Sequence, residues 1–144
     1  MKLNNHFRMV LPAKVGNEGF ARAAVAAFCA PLSPTLEQIN DIKTAVSEAV
    51  TNVIVHAYPE SEGEITLEVA IYDDSVVSIR VTDEGAGMKD VEEAKKPFFT
   101  TKSAEEHSGM GFTIMEAFMD KLEVLSGAGR GTCITMRKDL KEHA

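Results

Sequence analysis

The stretch Glu48-Ala49-Val50-Thr51-Asn52 gains its meaning from two glycine pairs far downstream. The first pair lies in Asp83-Glu84-Gly85-Ala86-Gly87 and the second in Ser108-Gly109-Met110-Gly111-Phe112. Glu48 and Asn52 are four apart, so they share one face of a helix. That face lies roughly opposite the apolar stripe of the same segment, where both residues could simply be solvated. In the order helix, strand end and loop, however, the three motifs outline a pocket for magnesium and a nucleoside triphosphate. Asn52 offers a carbonyl oxygen suited to Mg²⁺, a cation that prefers oxygen ligands. Glu48 can accept a proton from an attacking hydroxyl or water. Ala45, one turn earlier, is expected to leave space beside it.

Around this stretch the periodicity is clear. Thr35-Leu36-Glu37-Gln38 reads as a capping box, with Thr35 as N-cap and Gln38 reaching back. Leu36, Ile39, Ile42, Val46, Ala49, Val50, Val53 and Ala57 then recur at spacings of three and four, and predict one helix that runs to Tyr58-Pro59. Upstream, Phe7, Met9 and Leu11 alternate with polar neighbours, predicting a strand closed by Pro12. Gly16 to Ala30 predicts an alanine-rich helix with Phe20, Ala24, Ala27 and Phe28 on its apolar side, and Glu18 and Arg22 four apart on another face. Downstream, Glu64–Tyr72 and Val77–Val81 alternate on either side of Asp73-Asp74-Ser75, as an antiparallel hairpin does. Residues 88–108 are polar and read as a lid. A helix is predicted from about Met110 to Asp120. Two last strands follow, carrying Leu122 and Val124, then Cys133, Ile134 and Met136, around Gly127-Ala128-Gly129-Arg130-Gly131. The order β, α, α, β, β, lid, α, β, β predicts an α+β fold. We expect a two-layer α/β sandwich whose sheet is mixed but mostly antiparallel, with helices on one face.

Size and composition narrow the class. The 144 residues suit a single domain spanning 1–144. A formal net charge of -7 disfavours direct nucleic-acid binding as the main role. It does not disfavour a nucleotide, because Mg²⁺ and backbone N–H groups set the field in such a pocket. No apolar run is long enough to span a bilayer, and the N-terminus lacks a signal-peptide pattern, so no membrane association and a cytoplasmic location are expected. Cys29 and Cys133 are read as reduced packing residues.

The remaining motifs each carry two readings. Asp83 before Gly85 and Gly87 is either a plain turn or an acceptor for an amino group such as that of adenine, with the glycines allowing close backbone approach. Gly109 and Gly111 are either a flexible entry to a helix or a phosphate cradle at its N-terminus. Thr132 belongs to a hairpin turn or adds a hydroxyl to the pocket floor. Lys102 is a solvated lid residue or reaches a γ-phosphate. Neither the Walker phosphate loop nor Gly-x-Gly-x-x-Gly is complete, which disfavours those two classes.

Taken as a set, these motifs resemble the ATP-binding fold shared by gyrase, Hsp90, histidine kinases and MutL. More closely, Ser47–Asn52, Pro97-Phe98-Phe99-Thr100-Thr101-Lys102 and Ser108–Met115 are similar to the bacterial anti-sigma factors that control sporulation sigma factor F. The helix segment Asn17–Arg22 is similar too. The resemblance implies an anti-sigma factor that binds sigma factor F and, as an ATP-dependent protein-serine kinase, phosphorylates an anti-anti-sigma partner. An ATP-binding switch that only sequesters a partner is the alternative. In that family's pattern Glu48 is the general base and Asn52 the Mg²⁺ ligand. Asp83 holds the adenine amino group, with Gly87 beside it and Thr132 below. Gly109 and Gly111 close around the phosphates of ATP or ADP, helped by Lys102, and Gly85, Thr101, Ser108 and Met110 also bind the nucleotide. The resemblance also implies a homodimer, and exposed Arg22 is an expected partner contact. His107 departs from the pattern: arginine is expected there, and a mostly neutral imidazole grips a γ-phosphate less well.

Overall fold

The computed structural model describes residues 1–58, 62–85, 110–127 and 129–141. Five strands and three α-helices follow the expected order: β1 (Leu3–Pro12), α1 (Gly16–Cys29), α2 (Leu36–Asn52), β2 (Glu64–Tyr72), β3 (Val76–Asp83), α3 (Gly111–Phe118), β4 (Lys121–Ser126) and β5 (Thr132–Asp139). The strands form one sheet in the order β1-β2-β3-β5-β4. Among the described residues all four pairings are antiparallel, in line with the mostly antiparallel sheet expected. Each pairing along the sheet joins neighbours through a hairpin or a long return, and no described connection needs a parallel crossover. Among the described residues no helix is long and apolar enough to cross a membrane.

One face of the sheet holds the core. Ile65, Leu67 and Val69 of β2, Val77, Ile79 and Val81 of β3, and Ile134 and Met136 of β5 are all buried. These alternate with partly exposed residues along each strand, as a sheet covered on one side requires. The helices lie over that face, with α2 packed against both α1 and α3 and touching β3. Being flanked on two sides widens the buried stripe of α2. Ala45, expected to leave room beside Glu48, is fully buried in the core instead. Leu36, the first residue of α2, is 76% exposed, because the stripe begins before the helix reaches its neighbours.

Helix α1 is rotated from its expected setting. Its buried residues are Ala21, Val25 and Cys29, whereas Phe20 is exposed and Ala27 lies at the surface. Small side chains inward let α1 approach α2, where Ala45 and Ala49 are also fully buried. Phe28 still reaches the core edge-on to Phe7, with ring centroids 4.8 Å apart. Burial pushes the Cys29 thiol up to about 11, consistent with an inert packing role.

The capping box forms as expected: Gln38 N–H donates to Thr35 Oγ1 at 3.1 Å, and Thr35 N–H donates to Gln38 Oε1 at 2.9 Å. The Gln38 amide also donates to the Leu140 carbonyl at 2.7 Å, tying the start of α2 to the end of β5. A second tie is Lys138, buried beneath α3. Its Nζ donates to the Phe118 carbonyl at 2.8 Å and lies 3.6 Å from Asp41 Oδ2. One cation therefore caps the C-terminus of α3 and pairs with α2. Lys138→Met keeps the apolar stem but leaves that carbonyl and carboxylate without their donor. We expect it to cost about 2 kcal/mol in urea denaturation; an unchanged midpoint would show that the tie contributes nothing.

Candidate functional site

The end of α2 is where the site begins. The regular helix stops at Asn52, and Val53–Ala57 continues as a π-helical turn rather than as the α-helix expected to Tyr58. Val53, Ile54 and Val55 are three successive β-branched residues, which fit a tight α-turn poorly. Single π-turns of this kind are frequent beside functional sites. Glu48 and Asn52, just before the turn, are both half-buried, so they are wall residues rather than freely solvated ones.

The strand end is brought to this helix end by a glycine. A Cβ on Gly85 would overlap the carbonyl oxygen of Ala57 and lie 2.7 Å from its Cβ. The freedom of Gly85 is thus used against the protein's own backbone, locking the Asp83-Glu84-Gly85 loop onto the last turn after α2. Tyr58 reinforces the junction: its hydroxyl donates to the Glu64 carbonyl at 2.8 Å and accepts from Glu84 N–H at 2.9 Å. A Cβ on Gly63 would strike the Tyr58 ring, so that glycine leaves the ring its place. Tyr58 had stood in the sequence only as a helix stop.

Asp83 is the buried acid of this junction, 4% exposed on the helix-covered face. Its carboxylate accepts from Gly85 N–H at 2.8 Å, and the Thr132 N–H points to it as well. Burial raises its pKa above the usual carboxylate value, and the two backbone donors oppose that rise. Thr132, 6% exposed, is its partner in register on β5. The Thr132 hydroxyl lies 2.9 Å from Ser126 Oγ, and Ser126 Oγ donates to the Gly131 carbonyl at 2.9 Å. A depression of about 360 Å³ opens at this end of the sheet, with Asp83, Thr132, Ser126, Gly131 and Arg130 among its lining residues.

Gly131 holds the floor in place. Its φ is +76°, and a Cβ there would overlap the Asp83 carbonyl oxygen and lie 2.9 Å from Glu84 Cα. Gly129 has a similar φ of +77° but nothing within 4 Å of a Cβ. The two glycines therefore separate backbone strain from contact. Gly129→Ala should cost about 1–2 kcal/mol from the left-handed backbone alone. Gly131→Ala should cost more in urea denaturation; equal losses at the two positions would dismiss the contact with Asp83.

Helix α3 completes the described part. Met110 is its N-cap position and Gly111 its first residue, buried where α3 packs against α2. Gly87, Thr101, Lys102, Ser108 and Gly109, with His107, lie outside the described residues. Among the described residues no cluster of acidic, histidine or cysteine side chains could hold a metal alone. A cation at Asn52 would accordingly need ligand phosphates and water to complete its shell, as Mg²⁺ ordinarily accepts. The carbonyl oxygen and half-buried setting of Asn52 suit that arrangement.

Arg22 stands apart from the pocket, on α1. Its guanidinium donates to Glu18 Oε1 at 3.1 Å and to Ser47 Oγ at 3.3 Å, and the side chain is 41% exposed. It is held against Ser47 of α2 rather than extended freely.

The arrangement of a buried acid at a strand end, a half-buried Glu/Asn helix face and a glycine-led third helix defines a class of ATP-binding domain. Residues 11–138 match the histidine kinase-like ATPase domain family. The RsbU and RsbW domains of a Mycobacterium tuberculosis protein superpose with a TM-score of 0.69 at 24% identity, covering 95% of this chain. The chain spans about a third of that longer protein, 32% of its length. A histidine kinase domain from Erythrobacter litoralis superposes with a TM-score of 0.56 at 19% identity, covering 74% of this chain and 46% of that one. At those identities the likeness concerns the fold. Sequence relatives are much nearer. The anti-sigma F factor of Caldanaerobacter subterraneus subsp. tengcongensis is 54% identical over 138 residues, covering 96% of each chain. That of Geobacillus kaustophilus is 47% identical, covering 96% of this chain and 94% of the relative. The chain belongs to the anti-sigma F factor family of histidine kinase-like ATPase domains.

Proposed function

We propose that this chain binds Mg-ATP and sigma factor F, and that it phosphorylates a serine of an anti-anti-sigma protein. The observation that carries the nucleotide half is the junction of Asp83, Gly85 and Thr132 with the end of α2. There the buried pair Asp83 and Thr132 ends a strand pair whose loop packs on the turn directly after the helix bearing Glu48 and Asn52. ATP supplies the phosphoryl group and Mg²⁺ neutralises its charge, a reaction that needs mainly positioning from the protein. Asp83 accepts from the adenine amino group, with Thr132 beside it. Asn52 holds the cation. Glu48 takes the proton of the incoming serine hydroxyl as its oxygen bonds to the γ-phosphorus and the bond to the ADP oxygen breaks. Gly87, Ser108, Gly109, Met110 and Gly111 close on the nucleotide, joined by Thr101 and Lys102.

The partner half rests on the family. Anti-sigma F relatives cover the chain nearly end to end, and Arg22 presents its outer edge from α1. We take the working form to be a homodimer of a single domain, 1–144, in the cytoplasm. Asn52→Ala should weaken Mg-ATP binding about tenfold, roughly the loss of one charge-assisted contact. It should not change nucleotide binding when magnesium is chelated. Calorimetry with and without EDTA measures this, and equal losses in both conditions would reject the metal role.

A further inference from the structure

The two hydroxyl contacts beside Asp83 constrain one another. Ser126 Oγ is 2.9 Å from the Gly131 carbonyl oxygen and 2.9 Å from Thr132 Oγ1. A carbonyl oxygen only accepts and a hydroxyl carries one proton, so both contacts are hydrogen bonds at once only when the Ser126 proton goes to Gly131. The bond between the two hydroxyls then takes the Thr132 proton, with Thr132 Oγ1 donating to Ser126 Oγ. Thr132 is left with lone pairs alone for anything that enters the pocket. The Asp83 carboxylate next to it also only accepts, and Gly85 N–H already donates to it at 2.8 Å.

A threonine without this tether would be ambivalent. Its hydroxyl could rotate to donate to a keto oxygen as readily as it accepts from an amino group. Ser126 sits opposite Thr132 in the β4–β5 register, so backbone pairing fixes the tether. Thr132 is nearly enclosed, which limits the water that could compensate for a mismatched group.

We propose that Ser126 is a specificity-setting positioning residue. By holding the Thr132 proton, it turns the base end of the pocket into acceptors only, which take a purine with an amino group at position 6 and reject one with a keto oxygen there. This inference rests on the adenine-nucleotide reading above, and it assigns the discrimination to a residue that acts through Thr132.

The test is a ratio of affinities for Mg-ATP and Mg-ITP, measured by calorimetry on the full chain. Wild type should favour ATP by about 100-fold or more, as sites built around one polar pattern do. Ser126→Ala should lower that ratio roughly fivefold, chiefly through tighter ITP binding, since one net hydrogen bond changes sides. Ser126→Cys, similar in shape but a weak hydrogen-bonding partner, should lower it likewise. Ser126→Thr, which keeps the hydroxyl, should retain the wild-type ratio. Should both nucleotides weaken equally in the alanine and cysteine variants, or the ratio stay put while ATP still binds, Ser126 has no role in selection. An unmodified chain that binds neither nucleotide overturns the adenine reading, and this inference with it.

Discussion

Glu48→Gln lowers the rate of serine phosphorylation by roughly 10²- to 10⁴-fold, the span that a positioned general base contributes. It leaves Mg-ATP affinity unchanged. The substitution keeps the size and shape of the side chain and removes its charge and its ability to take a proton. Glu48 is half-buried one turn before Asn52, at the point where α2 gives way to the π-turn. That setting limits the freedom of both side chains on one helix face. Single-turnover transfer from labelled ATP, beside calorimetry, separates chemistry from binding. Transfer at the wild-type rate would remove Glu48 from the reaction; loss of ATP binding would reassign it to the nucleotide.

Asp83→Asn has the second large effect, and it acts in two directions. Mg-ATP binding weakens about thirtyfold, or ~2 kcal/mol, the worth of one hydrogen bond to a charged group. Stability changes with pH in a way that only a buried titrating acid produces. Burial raises the folded-state pKa of Asp83, so the folded chain holds this proton more tightly than the unfolded chain does. The associated stability is fully present below the ordinary carboxylate value of about 4, and is lost as pH rises through the folded-state value. Asparagine does not titrate. Relative to wild type, the variant therefore gains stability between pH of about 4 and neutrality. Urea midpoints of both proteins at the two ends of that range measure the shift. A difference that is flat with pH, or that moves toward wild type, would mean Asp83 is not held as described.

Much of this was legible in the sequence because the signals were local. The capping box at Thr35, the alternation of Ile65, Leu67 and Val69, and the Glu18–Arg22 spacing each depend on a few neighbouring residues, and each appears in the structure. The face of α1 was not legible, because its Phe20 is more apolar than Ala21 and periodicity follows hydrophobicity. Which residues turn inward was decided by how closely α1 and α2 approach, a tertiary matter. The π-turn was missed for a similar reason: it continues the helical pattern while altering only its pitch.

In the site, the sequence pointed to Asp83, Gly85 and Thr132 but not to what holds them. Gly85 was read as room for a ligand, and the structure gives it a neighbour in Ala57. Tyr58, Ser126 and Gly131 act through contacts across 26, 6 and 48 positions of chain, respectively to Glu84, Thr132 and Asp83. Short motifs cannot register such pairs. One signal was available: a second glycine in Gly129-Arg130-Gly131 just before Thr132, where a simple turn needs fewer. The Asp83–Thr132 register, on which the pocket floor depends, emerges only once β3 and β5 pair.

The central claim is that one small domain combines a nucleotide site with phosphoryl transfer to a protein serine. The direct measurement incubates the purified chain with labelled Mg-ATP, sigma factor F and its anti-anti-sigma protein, following label on each polypeptide and complex formation together. The account predicts label on a serine of the anti-anti-sigma protein alone, and a nucleotide-dependent complex with the sigma factor. Nucleotide-dependent binding of the sigma factor with no label on any serine would contradict it, and would leave an ATP-gated binding protein in place of a kinase.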